Sequence, residues 1–261
     1  MKRLVSMNCK FLRKIILGIL LIIVLIAIVG KFFLKKDSNE IPDNFVDVQE
    51  FIPSIQIDLV LATNYNFTGK IIDGYSENSK CYLTRQAAQS IKSVQDKLVP
   101  MGLSLKLYDC YRPKKALDDF ERWLKTDDNS MKGIFFPDVE KKDMTMSRQS
   151  SGHNRGSSVS LTLVPLESKN IHIKNGFKRA SCIANYEDRQ VDDSLDMGTN
   201  YMCFSPKISL DNLNISPQAR ANRLLLSTLM ESSGFTPTNK NWWYYTLKNE
   251  PYKNIYFDFN I

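Results

Sequence analysis

The sequence predicts an α+β domain that follows an N-terminal transmembrane helix. Two observations lead to this fold class. An unbroken apolar run lies near the N-terminus, and beyond it helical and strand-like patterns alternate without regular β-α-β units. With 261 residues, the chain is long enough for one domain of ordinary size and an appendage.

Residues 15–30 carry no polar side chain, and the apolar run continues to residue 34 past a single lysine. A helix of about 20 apolar residues spans a bilayer. Five Lys or Arg residues precede the run and three follow it, which places the N-terminus in the cytoplasm and the rest outside. A signal-peptidase site needs small residues at two nearby positions, as in Ala-x-Ala. Ile28-Val29-Gly30 supplies only one and lysines follow, so an uncleaved anchor is favoured over a removed signal.

This interpretation divides the chain into three parts. Residues 1–36 form a cytoplasmic stub and signal-anchor with its core at 15–34, residues 37–45 form a linker, and residues 46–261 form the folded, envelope-facing domain. Residues 1–36 also hold eight of the 35 basic residues and none of the 28 acidic ones. The basic charge therefore belongs to the membrane-flanking segment, and no nucleic-acid partner is expected.

The first half of the domain shows a helix, a strand and a second helix. Apolar residues recur at helical spacing between Thr84 and Leu98, and Leu103 then begins an alternation typical of a half-buried strand. Pro113 suits the first turn of a helix that carries Phe120 and Trp123.

The second half is less regular. Residues 125–150 look like a loop, residues 159–163 alternate like a strand, and an irregular stretch continues to residue 202. Ser216 and Pro217 start a helix that Gly234 ends, and residues 242–247 form an aromatic strand. The domain is therefore predicted to have a central, mostly antiparallel sheet with flanking helices.

Four cysteines, Cys81, Cys110, Cys182 and Cys203, lie on the exported side, where disulfides are tolerated. The sequence is compatible with one or two bridges in any pairing and with buried thiols. No Cys-x-x-Cys is present, which disfavours a cysteine zinc site.

His153 precedes the predicted strand at 159–163, as a zinc-binding histidine would, but the expected partners are missing. A carboxylate a few residues later is replaced by Ser160, and the only other histidine, His172, is interpreted as a surface or strand residue. The acidic run formed by Asp192, Asp193 and Asp196 would hold a hard cation only weakly and is interpreted as a solvated loop.

Seven short segments occur in the order of a known family and span residues 55–260. They include Asn66-Phe67-Thr68-Gly69-Lys70, Tyr108-Asp109-Cys110-Tyr111-Arg112-Pro113, Ser151-Gly152-His153-Asn154-Arg155-Gly156-Ser157, Asp196-Met197-Gly198-Thr199 and Trp242-Trp243. Together they make the domain resemble the zinc D-alanyl-D-alanine dipeptidases, the family that includes the enzyme of vancomycin-resistance operons.

The resemblance implies one zinc held by two histidines and an aspartate, a glutamate that acts as general base, and an arginine that stabilises the oxyanion. His153 matches the first histidine and Arg112 matches the arginine. Ser160 stands at the aspartate position, Asn241 at the glutamate position and Tyr244 at the second histidine position. Ser151 and Arg155 are carried over as substrate-binding residues.

These replacements predict an inactive family member that needs no cofactor. Serine and tyrosine hydroxyls are neutral at pH 7, and an amide cannot accept and return a proton as glutamate does. The expected partner is a peptidoglycan-type peptide or an envelope protein, bound near Arg112. Two alternatives stay open: an active zinc dipeptidase with a rearranged site, and an interaction protein whose old cleft binds nothing.

Overall fold

The computed structural model describes residues 17–20, 40–144, 152–168, 180–189 and 192–261. The chain divides into two units, residues 1–40 and residues 41–261. In the first unit residues 17–20 are helical, and most of the predicted anchor lies outside the described residues. Within the ranges given above, no helix combines the length and apolar character needed to cross a membrane.

The described residues of the second unit form seven strands in two sheets. A small antiparallel pair joins β1 to β3, and a five-stranded mixed sheet has the order β2-β4-β5-β7-β6, in which only β2 and β4 run parallel. The strands are β1 Phe45–Asp47, β2 Gln56–Ile57, β3 Tyr82–Thr84, β4 Leu103–Asp109, β5 Ser158–Pro165, β6 Phe235–Thr238 and β7 Asn241–Leu247.

In the same described part of the chain, five α-helices accompany the sheets. They are α1 Val48–Phe51, α2 Arg85–Leu98, α3 Lys114–Leu124, α4 Lys132–Phe135 and α5 Pro217–Ser232. Helix α2 packs on β4, and α5 packs on β5 and β7 and against α2. The α+β class is therefore confirmed, with a mixed sheet and flanking helices.

Local chemistry sets the helix boundaries near the positions that the sequence predicts. Thr84 caps α2 by accepting a hydrogen bond from the Ala87 N–H, and Ser216 caps α5 through the Ala219 N–H. Pro113 was predicted to lie in the first turn of α3 but is its N-cap, so the helix begins one residue later, at Lys114. The predicted loop over 125–150 contains the short helix α4, and residues 145–150 lie outside the described ranges.

The prediction that β4 is half-buried is wrong, because both of its faces are covered. Gln95 of α2 donates to the Ser104 hydroxyl at 2.9 Å on one stretch of the strand. The Lys106 ammonium, fully buried, donates to the main-chain carbonyl of Asp192. The polar residues that alternate with leucines along β4 therefore make hydrogen bonds inside the protein and do not face solvent.

Two disulfides join the four cysteines of the second unit, Cys81 to Cys110 and Cys182 to Cys203. The first bridge ties the residue before β3 to the residue after β4, and the second ties the irregular stretch to itself. Cys110 lies directly between Asp109 and the segment that carries Arg112. The structure thus gives the cysteine pairing that the sequence left open, and the Cys81–Cys110 bridge lies next to the candidate site.

Candidate functional site

His153 lies in a single helical turn, Gly152–Arg155, that leads into β5, and its side chain is 2% exposed. The Nδ1 atom is 2.6 Å from the Cys110 carbonyl oxygen, and Nε2 is 3.2 Å from the Ser160 hydroxyl. Because a carbonyl oxygen only accepts, Nδ1 carries the proton and Nε2 accepts from Ser160. Burial lowers the pKa of His153 to about 4, although Asp109 opposes the shift, so the imidazole is neutral at pH 7.

The register of two antiparallel strands brings the other two predicted ligand positions to His153. Ser160 of β5 lies opposite Tyr244 of β7. The Tyr244 ring packs edge-on against the imidazole, with 5.1 Å between ring centroids. The structure thus brings together His153, Ser160 and Tyr244.

The Tyr244 hydroxyl hydrogen-bonds to the protein backbone and a neighbouring serine rather than to the imidazole. It accepts from the Gly152 N–H at 3.1 Å and donates to the Ser158 hydroxyl at 3.1 Å, and Ser158 in turn bonds Thr246 at 2.7 Å. A side chain on Gly152 would place its Cβ 1.8 Å from the Ser158 oxygen, so only glycine fits here. The Tyr244 hydroxyl therefore links β7 by a hydrogen bond to the turn that carries His153.

Arg112 is paired with Asp109, which is fully buried at the end of β4. The Arg112 Nε lies 3.0 Å from the Asp109 Oδ2, and Nη2 contacts the same oxygen. The Tyr75 hydroxyl donates to the other carboxylate oxygen at 2.7 Å. Although burial disfavours the charged guanidinium, the Asp109 charge raises the pKa of Arg112 above its usual value.

Arg112 and His153 belong to segments that are joined by main-chain contacts. The Arg112 N–H donates to the His153 carbonyl at 3.2 Å, and Asn154 donates to the Arg112 carbonyl at 2.6 Å. The Asp109 Oδ2 lies 3.7 Å from the His153 Nε2. One site therefore holds Arg112, Asp109, His153, Ser160 and Tyr244.

Tyr201 forms the wall of this site towards the irregular stretch. Its ring stacks on Tyr108 at 4.4 Å between centroids, and it meets Trp243 edge-on at 5.5 Å. Burial raises the pKa of Tyr201 above its usual value, and the neighbouring Ser160 hydroxyl opposes part of that shift. The next residue, Met202, is buried and has a left-handed backbone with φ of 58°, which is uncommon for a residue with a side chain.

The remaining predicted site residues are placed less favourably. Asn241 begins β7, and the β6–β7 register shifts between Pro237 and Thr238. No hydrogen bond joins Asn241 to the residues described around His153, and its side-chain oxygen is buried without a partner. Ser151 and His172 lie outside the described residues.

Arg155, predicted to bind substrate, is engaged by the protein itself. Its Nε and Nη2 atoms lie 2.6 and 2.8 Å from the two carboxylate oxygens of Glu250. Its guanidinium carbon is 5.7 Å from the centre of the Tyr256 ring. The two guanidinium nitrogens of Arg155 that could bind a substrate carboxylate are thus already paired with the Glu250 carboxylate.

The residues at the ligand positions do not fit a catalytic zinc ion. Such a site uses three protein ligands, whereas here one imidazole is joined by two neutral hydroxyls. Asp109 supplies a carboxylate nearby, but Arg112 and Tyr75 already use its two oxygens. Across the described parts of the chain, no three His, Cys, Asp or Glu side chains are grouped to hold a metal.

The acidic run does not form a cation site within the described ranges either. Asp192 accepts from the Tyr108 hydroxyl and from the Ser194 N–H, and Asp196 binds Arg189. Its carboxylates therefore serve internal hydrogen bonds and an ion pair, which differs from the predicted solvated loop.

A family model described as "D-ala-D-ala dipeptidase" matches residues 42–178 and 167–261, which together include the whole second unit except its first residue. The chain belongs to the D-Ala-D-Ala dipeptidase family. This family is zinc-dependent, and the resemblance inferred from the motifs is confirmed.

Three curated members of the D-Ala-D-Ala dipeptidase family show the extent of the likeness. The D-alanyl-D-alanine dipeptidase of Enterococcus faecalis is 30% identical over 223 residues, which are 84% of this chain and 98% of the relative. That of Streptomyces coelicolor is 32% identical over 222 residues, again 84% and 98%. That of Escherichia coli is 27% identical over 203 residues, 77% and 83%.

Sequence reasoning missed two participants, Asp109 and Tyr201. Asp109 lies within the Tyr108–Pro113 motif, three residues before Arg112, and an acid at this spacing beside a buried arginine was a usable signal. Tyr201 comes from an irregular stretch without periodicity, and nothing in the sequence indicated that it would reach Ser160.

Proposed function

We propose that this chain is a D-Ala-D-Ala dipeptidase family member that has lost zinc-dependent hydrolysis and binds a peptidoglycan-type peptide without cleaving it. The observation that carries the proposal is the hydrogen bonding at the ligand positions. The His153 Nε2 accepts from Ser160, and the Tyr244 hydroxyl is used by Gly152 and Ser158. A cluster of one neutral imidazole and two alcohols lacks the negative charge that holds a divalent cation.

Loss of the general base supports the same conclusion. The glutamate position is Asn241, whose amide cannot take a proton from water. Without a metal or a base, water keeps a pKa near 15.7 and is a poor nucleophile at neutral pH.

Peptide binding is supported by Arg112. Its guanidinium carbon lies 5.2 Å from the centre of the Phe120 ring, Asp109 pairs with it, and 13% of its side chain is exposed. A rigid, partly exposed guanidinium is suited to the carboxylate or carbonyl oxygen of a peptide. A protein partner that presents such a group is the other expected ligand.

Membrane anchoring and an envelope location belong to the proposal as well. They are supported by the apolar run over residues 15–34 with its excess of preceding positive charge. The two disulfides of the second unit suit an oxidising compartment.

The proposal is tested with the purified full-length chain, stripped of metal with a chelator. Titration with zinc is expected to give no stoichiometric binding in the micromolar range or tighter. Titration with D-Ala-D-Ala is expected to give saturable heat without release of D-alanine, and Arg112→Gln is expected to weaken that binding. Lys114→Gln, on the exposed start of α3, is the matched control.

One observation favours a second candidate, an active dipeptidase with a rearranged zinc site. The Asp109 carboxylate lies 3.7 Å from the His153 Nε2, close enough for both to reach one metal ion if Arg112 moved. This candidate predicts D-alanine release that chelation stops and that both His153→Ala and Asp109→Asn abolish. Such a result would replace the first proposal.

A further inference from the structure

Segment 257–261 lies beside the candidate site without regular secondary structure, and it is held near both of its ends. At its start, the Phe257 N–H donates to the Asn154 carbonyl at 3.0 Å. At its other end, the Ser79 hydroxyl donates to the Ile261 carbonyl at 3.1 Å. The segment therefore has a defined path across this side of the protein.

Phe259 holds the residue that immediately precedes Arg112. Its ring stacks on the Tyr111 ring with 3.9 Å between centroids, and the Tyr111 hydroxyl donates to the Phe259 carbonyl at 3.2 Å. The Phe45 ring meets these two rings edge-on, at 5.6 Å for Tyr111 and 5.1 Å for Phe259. Because all three side chains are buried, the aromatic contacts fix Tyr111 beside Arg112.

Asp258 holds the backbone that follows Arg112. Its carboxylate accepts from the Lys115 N–H at 3.0 Å, in the first turn of α3. An N–H group at this position has no partner within its own helix, and Pro113, the N-cap, supplies no side-chain acceptor. Asp258 therefore caps α3 from a distant part of the chain, and its negative charge suits the helix N-terminus.

Asn154 connects the same segment to Arg112 itself. Its carbonyl accepts from Phe257, while its Nδ2 donates to the Arg112 carbonyl at 2.6 Å. The Arg112 N–H in turn donates to the His153 carbonyl at 3.2 Å. Both main-chain polar groups of Arg112 are thus held by the turn to which segment 257–261 is bonded.

We propose that segment 257–261 positions Arg112 for its ligand, an inference that rests on the proposed peptide binding at Arg112. Phe259 and Asp258 are the positioning residues, since they fix the backbone before and after Arg112. Asp109 fixes the guanidinium end of the same side chain. A side chain held at both ends has little freedom to lose on binding, so releasing its backbone lowers affinity without changing the charge of the site.

The first test is calorimetric titration of the full-length chain with D-Ala-D-Ala. Phe259→Leu is expected to weaken binding by about threefold or more, the effect of re-ordering one long side chain. Phe235→Leu is the matched control, because Phe235 is fully buried in β6, which β5 and β7 separate from β4. This control is expected to lose stability as well and to bind as the natural chain does, whereas a merely structural role for Phe259 predicts that both variants bind alike.

A second pair of variants covers the case in which Phe259→Leu does not fold. Asp258 is exposed, so its replacement leaves the core intact. Asp258→Ala removes the acceptor for the Lys115 N–H and is expected to weaken D-Ala-D-Ala binding by about twofold or more. Asp258→Asn keeps an acceptor oxygen and is expected to restore the natural affinity.

A readout without ligand separates this inference from the proposed function. The Arg112 Nε–H donates to Asp109 and is expected to exchange slowly with solvent. Nuclear magnetic resonance of the full-length chain follows that signal, which Arg112→Lys identifies by its loss. Phe259→Leu and Asp258→Ala are expected to speed the exchange by about threefold or more, and Phe235→Leu and Asp258→Asn to leave it unchanged.

If the natural chain does not bind D-Ala-D-Ala, the proposed function fails and the exchange of the Arg112 Nε–H decides the role of segment 257–261. Natural exchange rates in both Phe259→Leu and Asp258→Ala would overturn the proposal. So would natural affinity of both variants when the natural chain does bind. It is equally overturned if Phe235→Leu changes exchange and affinity as much as Phe259→Leu does.

Discussion

The Tyr244 hydroxyl accepts a hydrogen bond from the Gly152 backbone N–H at 3.1 Å and thereby joins β7 to the turn that presents His153. In a zinc dipeptidase the resemblance places a metal ligand at this position. Here the side chain has a structural role, and that role can be measured.

Tyr244→Phe is expected to lower the free energy of unfolding by about 1 kcal/mol, because the Gly152 N–H and the Ser158 hydroxyl lose a partner. Urea denaturation followed by fluorescence measures the change. Tyr82→Phe is the matched control, since Tyr82 is half-buried and its hydroxyl makes no hydrogen bond to any described residue. Equal stability of the two variants would show that the Tyr244 contact contributes nothing.

Restoring the family's chemistry is expected to restore metal binding. In the combined change Ser160→Asp, Asn241→Glu and Tyr244→His, the first and third substitutions supply a carboxylate and a second imidazole at two positions that the β5–β7 register brings together. The second substitution supplies a carboxylate base at the start of β7. Zinc titration is expected to show one bound ion per chain, and D-Ala-D-Ala is expected to be cleaved slowly. Adding His153→Ala to the same background is expected to remove both properties, and zinc binding that survives it would place the metal elsewhere.

The Asp109–Arg112 pair is expected to be essential to stability. Asp109→Asn leaves a buried guanidinium without its counter-charge, which costs about 3–5 kcal/mol in comparable buried pairs. Thermal unfolding measures the loss, and Asp118→Asn on the exposed face of α3 provides the control. A loss no greater than that of the control would mean that water reaches and solvates Arg112.

The buried His153 is expected to make stability depend on pH in the acidic range. Its pKa falls from 6.5 in the unfolded chain to about 4 in the folded protein, so the unfolded state binds the proton first. The stabilisation is complete above pH 6.5 and is lost as the pH falls towards 4, by about 3 kcal/mol in total. Comparing His153→Gln with the natural chain at several pH values isolates this contribution from the carboxylates, and parallel curves for the two proteins would refute it.

The sequence predicted the elements whose signals are local. Helix α2 and helix α5 have caps and apolar faces, and both were found within a residue or two of the predicted bounds. Strand β6 was missed because Pro237 lies within it, and proline normally argues against a strand. The structure resolves the conflict by placing β6 at the edge of the sheet, where a missing N–H is tolerated.

The candidate site was predictable where the family motifs cover it and not elsewhere. The resemblance predicted that Ser160 and Tyr244 would stand at the positions of metal ligands, and the register of β5 and β7 places them opposite one another. The internal pairing of Arg155 with Glu250, 95 residues later, is a long-range contact that no spacing rule reveals. The same holds for the position of Tyr201 near Ser160.

The disulfide between Cys81 and Cys110 holds the Cys110 carbonyl, which hydrogen-bonds to the His153 ring. The geometry of the His153 site therefore depends on whether these two cysteines are oxidised. A recombinant preparation made where thiols stay reduced would lack this disulfide, and its ligand binding would not represent that of the oxidised protein. Intact-mass spectrometry resolves the question before any assay, because each closed bridge removes two hydrogens from the chain.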